Sequence, residues 1–155
     1  LFFSDFNIRK NGNILYSRFE ISRKKDFCDP TNINLTKKYG YNNLIKYGCF
    51  IGSSTVIFNK KVFKKIDFFN SKYKFICDYV FFLNVSYYFN MYCSHHKMSD
   101  WRSHNNQATI KMKKIYFKEM FKFYLDKYTN IKVSFTLKIS IFIKHLRLVI
   151  TYFLK

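Results

Sequence analysis

A lone carboxylate, Asp78, follows a polar loop and opens the apolar run Tyr79 to Tyr92, and a cluster of mixed chemistry, Trp101, Arg102 and His104, comes further along. A carboxylate in that position has two uses. It can take a proton from a hydroxyl, or it can cap the helix behind it, where unpaired N–H groups favour negative charge; by residue type alone the cap is the commoner role. A guanidinium grips phosphate through two parallel hydrogen bonds and an imidazole donates or ligates, although Arg102 and His104 equally suit a solvated loop. Trp101 could stack on a ligand or fill a core. Ser53 and Ser54 place two hydroxyls ahead of Val56 to Phe58, where they could meet a ligand or simply begin a strand. Cys93, His95, His96 and His104 have the residue types of a zinc site but lack the paired spacing of one.

The elements that must position these groups are legible from pattern. Phe50 to Phe58 predicts a buried strand, since Val56, Ile57 and Phe58 follow one another without a polar break. Asn59 stops it and can cap a short helix over Lys60 to Ile66, with Val62, Phe63 and Ile66 on one face. A loop from Asp67 to Lys74 then leads to Asp78. Upstream, Leu1 to Asn7 and Ile14 to Tyr16 predict a hairpin about the Asn11-Gly12 turn, and Asp5 is expected at a strand end or facing solvent. Arg18 to Pro30 is charged and aperiodic, which predicts a surface loop closed by Asp29-Pro30. Thr31 to Tyr47 predicts a helix that buries Leu35, Tyr39 and the Leu44/Ile45 pair and ends at Gly48. Tyr79 to Tyr92 is apolar nearly all round, so as a helix it would be buried on several sides. Met98 to Ser103 predicts a short strand and Asn105-Asn106 a turn.

Composition narrows the class. At 155 residues and 48% hydrophobic content the chain can bury a core and is not disordered. Its net charge of +19 would suggest nucleic acid or an anionic surface. Part of that charge reflects codon usage, because Lys, Asn, Ile, Phe and Tyr are abundant while Ala and Pro each occur once. The four cysteines form no C-x-x-C pair, which fits a reducing, cytoplasmic setting better than a disulfide framework. Aromatic residues interleaved with Lys could build a single-strand nucleic-acid platform. They fall instead in apolar runs such as Phe81-Phe82 and Tyr87-Tyr88-Phe89, which predicts burial and makes a nucleic-acid partner the weaker alternative.

The stretch YGCFIGSSTVIFNKKVFKKIDFFNSKYKFICD, with small hydroxyl residues, strand, basic short helix, loop and Asp-aromatic helix start in that order, resembles the C-terminal half of the catalytic domain of family 2 glycosyltransferases, the GT-A type. The segment Trp101-Arg102-Ser103-His104 resembles the aromatic-Arg-x-His segment with which such domains close. The resemblance covers Leu1 to about Thr109. It implies an α/β fold, in part a GT-A Rossmann-like fold with a mixed sheet, and transfer of a sugar from a nucleotide-sugar donor to a hydroxyl of a polysaccharide or lipid-linked acceptor, with inversion. On this resemblance Asp78 is the catalytic base, Ser53 and Ser54 lie toward the acceptor, Trp101 stacks on sugar, and Arg102 and His104 meet the donor diphosphate or its metal. The family commonly has an acid pair where this chain has Cys77-Asp78. A divalent metal, Mg or Mn, is implied as well, but its Asp-x-Asp ligands are not in this chain. Ser4-Asp5 does not supply them, since one acid without its partner two residues away cannot clamp a metal in that way. Leu1 opens in what reads as the middle of a strand, so the chain is expected to be a fragment, inactive alone, with the nucleotide-binding half upstream.

Residues 1–109 thus read as the acceptor-side half of the domain and 110–155 as a basic amphipathic helical tail. Ile110 to Tyr128 and Ile131 to Lys155 predict its two helices, and Lys111 to Lys155 holds 11 Lys/Arg against 2 Asp/Glu. Lys138, Lys144, His145 and Arg147 argue against a spanning helix. They suit one lying on an anionic membrane surface, as on the inner face of a cell membrane, or packed back on the domain.

Overall fold

The computed structural model describes residues 1–23, 34–35, 37–67, 69, 72–130 and 135–153. The predicted end of the first loop at Asp29-Pro30 lies outside the described residues, and the helix predicted over Thr31 to Tyr47 is shorter than expected: it runs Lys37–Tyr47, and Asn34–Leu35, expected inside it, is a strand. The fold is mixed α/β. Among the described residues one mixed sheet of five strands runs β2 (Asn13–Ser17), β1 (Phe2–Lys10), β5 (Met91–Ser103), β3 (Asn34–Leu35), with β4 (Val56–Ile57) paired to β1 as well. The hairpin between β1 and β2 forms as the Asn-Gly signal requires. Both turn residues are left-handed, Asn11 at φ 50° and Gly12 at φ 84°, the sense that matches the twist of the flanking strands.

β5 runs parallel to β1, and its pairing slips twice: Ser4 faces Ser94, Asp5 faces Lys97, and Phe6 faces Ser99. The extra residues on β5 are bulges, which change the face that later residues present. Beyond the bulges Phe6 and Ile8 pair with Ser99 and Trp101, so these four share one face, while Asn7 and Arg9 share the other with Asp100, to which both donate hydrogen bonds.

The helices are α1 (Arg18–Arg23), α2 (Lys37–Tyr47), α3 (Cys77–Tyr88), α4 (Ala108–Lys111), α5 (Lys113–Asn130) and α6 (Phe135–Phe153). α2 ends as expected at Gly48, whose φ of 83° lets its N–H reach Leu44 O at 2.9 Å. The core takes residues from every layer: Phe3 of the sheet, Phe19 of α1, Leu44 and Ile45 of α2, Leu83 and Val85 of α3, Phe123 and Tyr124 of α5, and Ile141 of α6. Residues on both sides of position 109 therefore share one core. Edge-to-face rings recur in it, such as Tyr79 on Phe123 with centroids 5.7 Å apart.

Several expectations are corrected. The strand predicted over Phe50 to Phe58 shrinks to Val56–Ile57, preceded by a 3-10 turn at Ser53–Thr55, and Ile57 is 68% exposed. An apolar run can mark a buried segment without being a strand: Phe50 and Ile51 are in the core as irregular chain. The helix after Asn59 is a 3-10 turn, Lys60–Lys64, capped by Asn59 Oδ1 on Lys61 N at 2.9 Å; Val62 and Ile66 are buried but Phe63 is exposed. α3 stops at Tyr88, and Met91–Ser103 is one long interior strand rather than a short one from Met98. Tyr87 and Tyr88 are exposed, unlike Phe81 and Phe82. The segment after Arg18 begins as helix, not loop. Ser17 and Glu20 form a reciprocal capping box, with Glu20 N donating to Ser17 Oγ (3.2 Å) and Ser17 N to Glu20 Oε2 (2.7 Å). Asp5 is not at the surface: it is 3% exposed, and its Oδ1 accepts from Phe6 N (2.8 Å) and from Phe19 N in the first turn of α1 (2.9 Å).

Candidate functional site

Asp78 occupies the first turn of α3, one of the most apolar segments of the chain, but not its cap position. Ile76 holds that position without a side-chain bond. The backbone ahead of the helix is satisfied from α5, where Glu119 accepts from Lys74 N (2.9 Å), Phe75 N (2.8 Å) and Ile76 N (3.2 Å). With the preceding donors taken by Glu119, the carboxylate of Asp78 accepts from Tyr79 N at Oδ1 (2.7 Å) and from Ser53 Oγ at Oδ2 (3.2 Å). One oxygen is fixed by the helix it opens and the other is held across a gap in sequence by a hydroxyl.

That carboxylate lines an open cavity of about 560 Å³. Phe6 and Ile8 of β1 form an apolar wall, Trp101 of β5 stands at the rim, Ser53 and Ser54 contribute hydroxyls, and Arg18, Cys49 and Tyr116 complete the polar lining. They come from β1, β5, α1, α3, α5, the Ser53–Thr55 turn and the chain after α2, and the bulges in β5 are what turn Trp101 toward Ile8. Ser54 Oγ lies 3.1 Å from Ser99 Oγ, which ties the Ser53–Thr55 turn to the same strand. Gly52 has a specific reason to be glycine here: a Cβ on it would stand 2.7 Å from the Phe6 ring.

Four of the six residues singled out from sequence, Asp78, Ser53, Ser54 and Trp101, are thus brought together. Arg102 and His104 do not line the cavity. Arg102 alternates to the opposite face of β5 from Trp101, next to Arg9, and its carbonyl accepts from Gln107 Nε2 at 2.8 Å. His104 is exposed just past the strand. Trp101 is 43% exposed and so is not the core residue that a lone Trp more often is.

Arg18, Cys49 and Tyr116 escaped the sequence reading. The signal for Arg18 was the S-x-x-E box at Ser17 to Glu20, which predicts a helix start and puts Arg18 at its first position. Its Nη2 donates to Cys49 O at 2.6 Å. The Cys49 thiol is pushed up to about 12, first by burial and then by the nearby Asp78 charge, so it is neutral at physiological pH and unsuited to nucleophilic chemistry. Burial also raises the Tyr116 phenol.

The zinc alternative finds no support in geometry. Cys93 is buried, His95 packs edge-on to Phe19 with its ring nitrogens shielded, and His96 and His104 are exposed. Among the described residues no group of three or more His, Cys, Asp or Glu is placed to hold a metal ion.

No protein-family model, no curated protein and no solved structure matches the chain.

Proposed function

We propose that this chain is the acceptor-side part of a GT-A type glycosyltransferase of family 2, which moves a sugar from a nucleotide-sugar donor to a hydroxyl of a saccharide or lipid-linked acceptor. The observation that carries the reading is Asp78 Oδ2, paired with Ser53 Oγ at 3.2 Å on the wall of a cavity that Trp101 also lines. In the reaction the acceptor hydroxyl takes the place beside Oδ2. Its oxygen attacks the anomeric carbon as the bond from that carbon to the diphosphate breaks on the opposite face, and its proton passes to Asp78. Ser53 and Tyr79 N–H hold the carboxylate in one orientation, and the apolar wall of Phe6 and Ile8 limits water around it. Trp101 offers a ring face to the acceptor sugar. Donor and metal binding belong, on this reading, to residues outside this chain, and the isolated chain turns over no sugar nucleotide.

Trp101 is the sole tryptophan, so its emission reports on the cavity directly. Titration with a panel of mono- and oligosaccharides and lipid-linked saccharide headgroups should give a saturable change in emission with at least one acceptor class, weakened by Ser53→Ala. The reading is overturned if no saccharide changes the emission while a single-stranded oligonucleotide does so in a salt-dependent way, the behaviour of a nucleic-acid platform.

A further inference from the structure

α6 is built inside out for a helix on the surface of a domain. Ile141 is 1% exposed and anchors one side of it in the core. At 100° per residue, Phe135, Ile139, Phe142, Ile143, Leu146 and Ile150 fall within about a third of the circumference, centred opposite Ile141. All six are exposed, Phe135 at 78%. A surface helix ordinarily turns its apolar stripe inward and its polar residues outward. Among the described residues the domain takes the Ile141 side and leaves the stripe exposed.

Charge identifies the occupant. Helix α6 contains Lys138, Lys144 and Arg147 and no Asp or Glu. By the same rotation Lys138 flanks one edge of the apolar stripe and Arg147 the other. The whole chain carries 28 Lys and Arg against 9 acids. An apolar stripe rimmed by cations is the arrangement of a helix lying in the plane of a bilayer, with its side chains below the headgroups and its basic groups among anionic phosphates. No helix among the described residues is long and apolar enough to cross a membrane, which leaves attachment in the plane.

We propose that the exposed face of α6 seats the domain on an anionic lipid bilayer, with the Ile141 side holding the fold and the Phe142/Leu146 face entering the interface. This does not depend on the glycosyltransferase reading.

A chain of this charge will adsorb to anionic vesicles through charge alone, so the test must remove the stripe and keep the charge. The full chain is sedimented with vesicles of phosphatidylcholine and of phosphatidylcholine with 30% phosphatidylglycerol, beside the variant Phe142→Gln/Leu146→Gln. The wild type should bind the anionic vesicles at least tenfold more tightly than the neutral ones and weaken as salt rises. The variant should lose at least tenfold of the anionic binding with its helical circular dichroism and melting temperature unchanged, because both side chains are exposed. Equal binding by variant and wild type overturns the proposal and leaves general electrostatic adsorption. Loss of a dimer in the variant, by light scattering, with vesicle binding unchanged also overturns it and assigns the face to a second copy of the chain.

Discussion

Ser53 Oγ donates to Asp78 Oδ2 at 3.2 Å, joining the 3-10 turn before β4 to the first turn of α3. Because Tyr79 N already occupies Oδ1, the carboxylate has one orientation and one oxygen at the cavity. In an enzyme containing these residues, Asp78→Asn keeps an acceptor for Tyr79 N but removes the basicity. Transfer should fall by roughly 10²-fold or more with little change in melting temperature or donor affinity. Near wild-type transfer by Asp78→Asn, with Asp78→Ala losing only thermal stability, would reduce Asp78 to a structural role.

Glu119 is the residue on which the approach to α3 depends. Glu119→Ala leaves the N–H groups of Lys74, Phe75 and Ile76 without their acceptor; the bonds from Phe75 and Ile76 are part-buried, and a lost acceptor for such donors costs about 1–3 kcal/mol. Urea unfolding should register that loss, and Trp101 emission should shift as the cavity wall of Phe75 and Ile76 loosens. Full stability in Glu119→Ala would mean that water replaces the carboxylate.

Gly52→Ala tests the close approach to Phe6. The added methyl meets the ring at 2.7 Å, and overpacking of this kind costs about 1–3 kcal/mol. Since both residues line the cavity, the variant should also weaken any saccharide-induced change in Trp101 emission. Gly48→Ala is the control: it meets no atom within 4 Å, but its φ of 83° is left-handed, so about 1–2 kcal/mol is lost with no effect at the cavity.

The pH dependence should be steepest on the alkaline side. Burial pushes Cys49, Tyr41, Tyr73 and Tyr124 up to about 12, and raises Tyr79, between Leu44 O and Tyr124, well above its ordinary value. A group whose pKa is raised by folding stabilises fully below its unfolded value, and that contribution is lost as pH rises through the folded value. The melting temperature should therefore fall between about pH 9 and 12. On the acid side Asp100 and Asp126 are held below their ordinary value, Asp100 first by Asn7 and then by Arg9, and Asp126 first by Lys72 and then by Tyr73. Their contribution is present above about pH 4 and lost below it, but these groups are exposed and screened, so the acid decline should be the shallower. Melting curves by circular dichroism across pH 3 to 12 decide this.

Local signals determined much of this protein. The Asn11-Gly12 hairpin, the Gly48 terminus of α2, the Asn59 cap, the turn at Asn105-Asn106 and the position of Asp78 in the first turn of α3 all follow from a few neighbouring residues whose backbone preferences agree with the fold. The capping box at Ser17 to Glu20 was equally local and equally readable. What the chain pattern could not decide is what depends on pairing between distant segments. The bulges in β5 exist only in register with β1, and they alone turn Trp101 toward the cavity and Arg102 away from it. Asp5 is apolar-side or solvent-side according to a helix that begins at Arg18, and it is buried because Phe19 N needs an acceptor there. Glu119 stands in for a cap of α3 from α5, a helix distant in sequence. Amphipathicity told that α6 has an apolar face, but only the packing of Ile141 decided that this face points outward. A periodic pattern fixes which residues share a side; which side meets the core depends on the volume the other elements leave to fill.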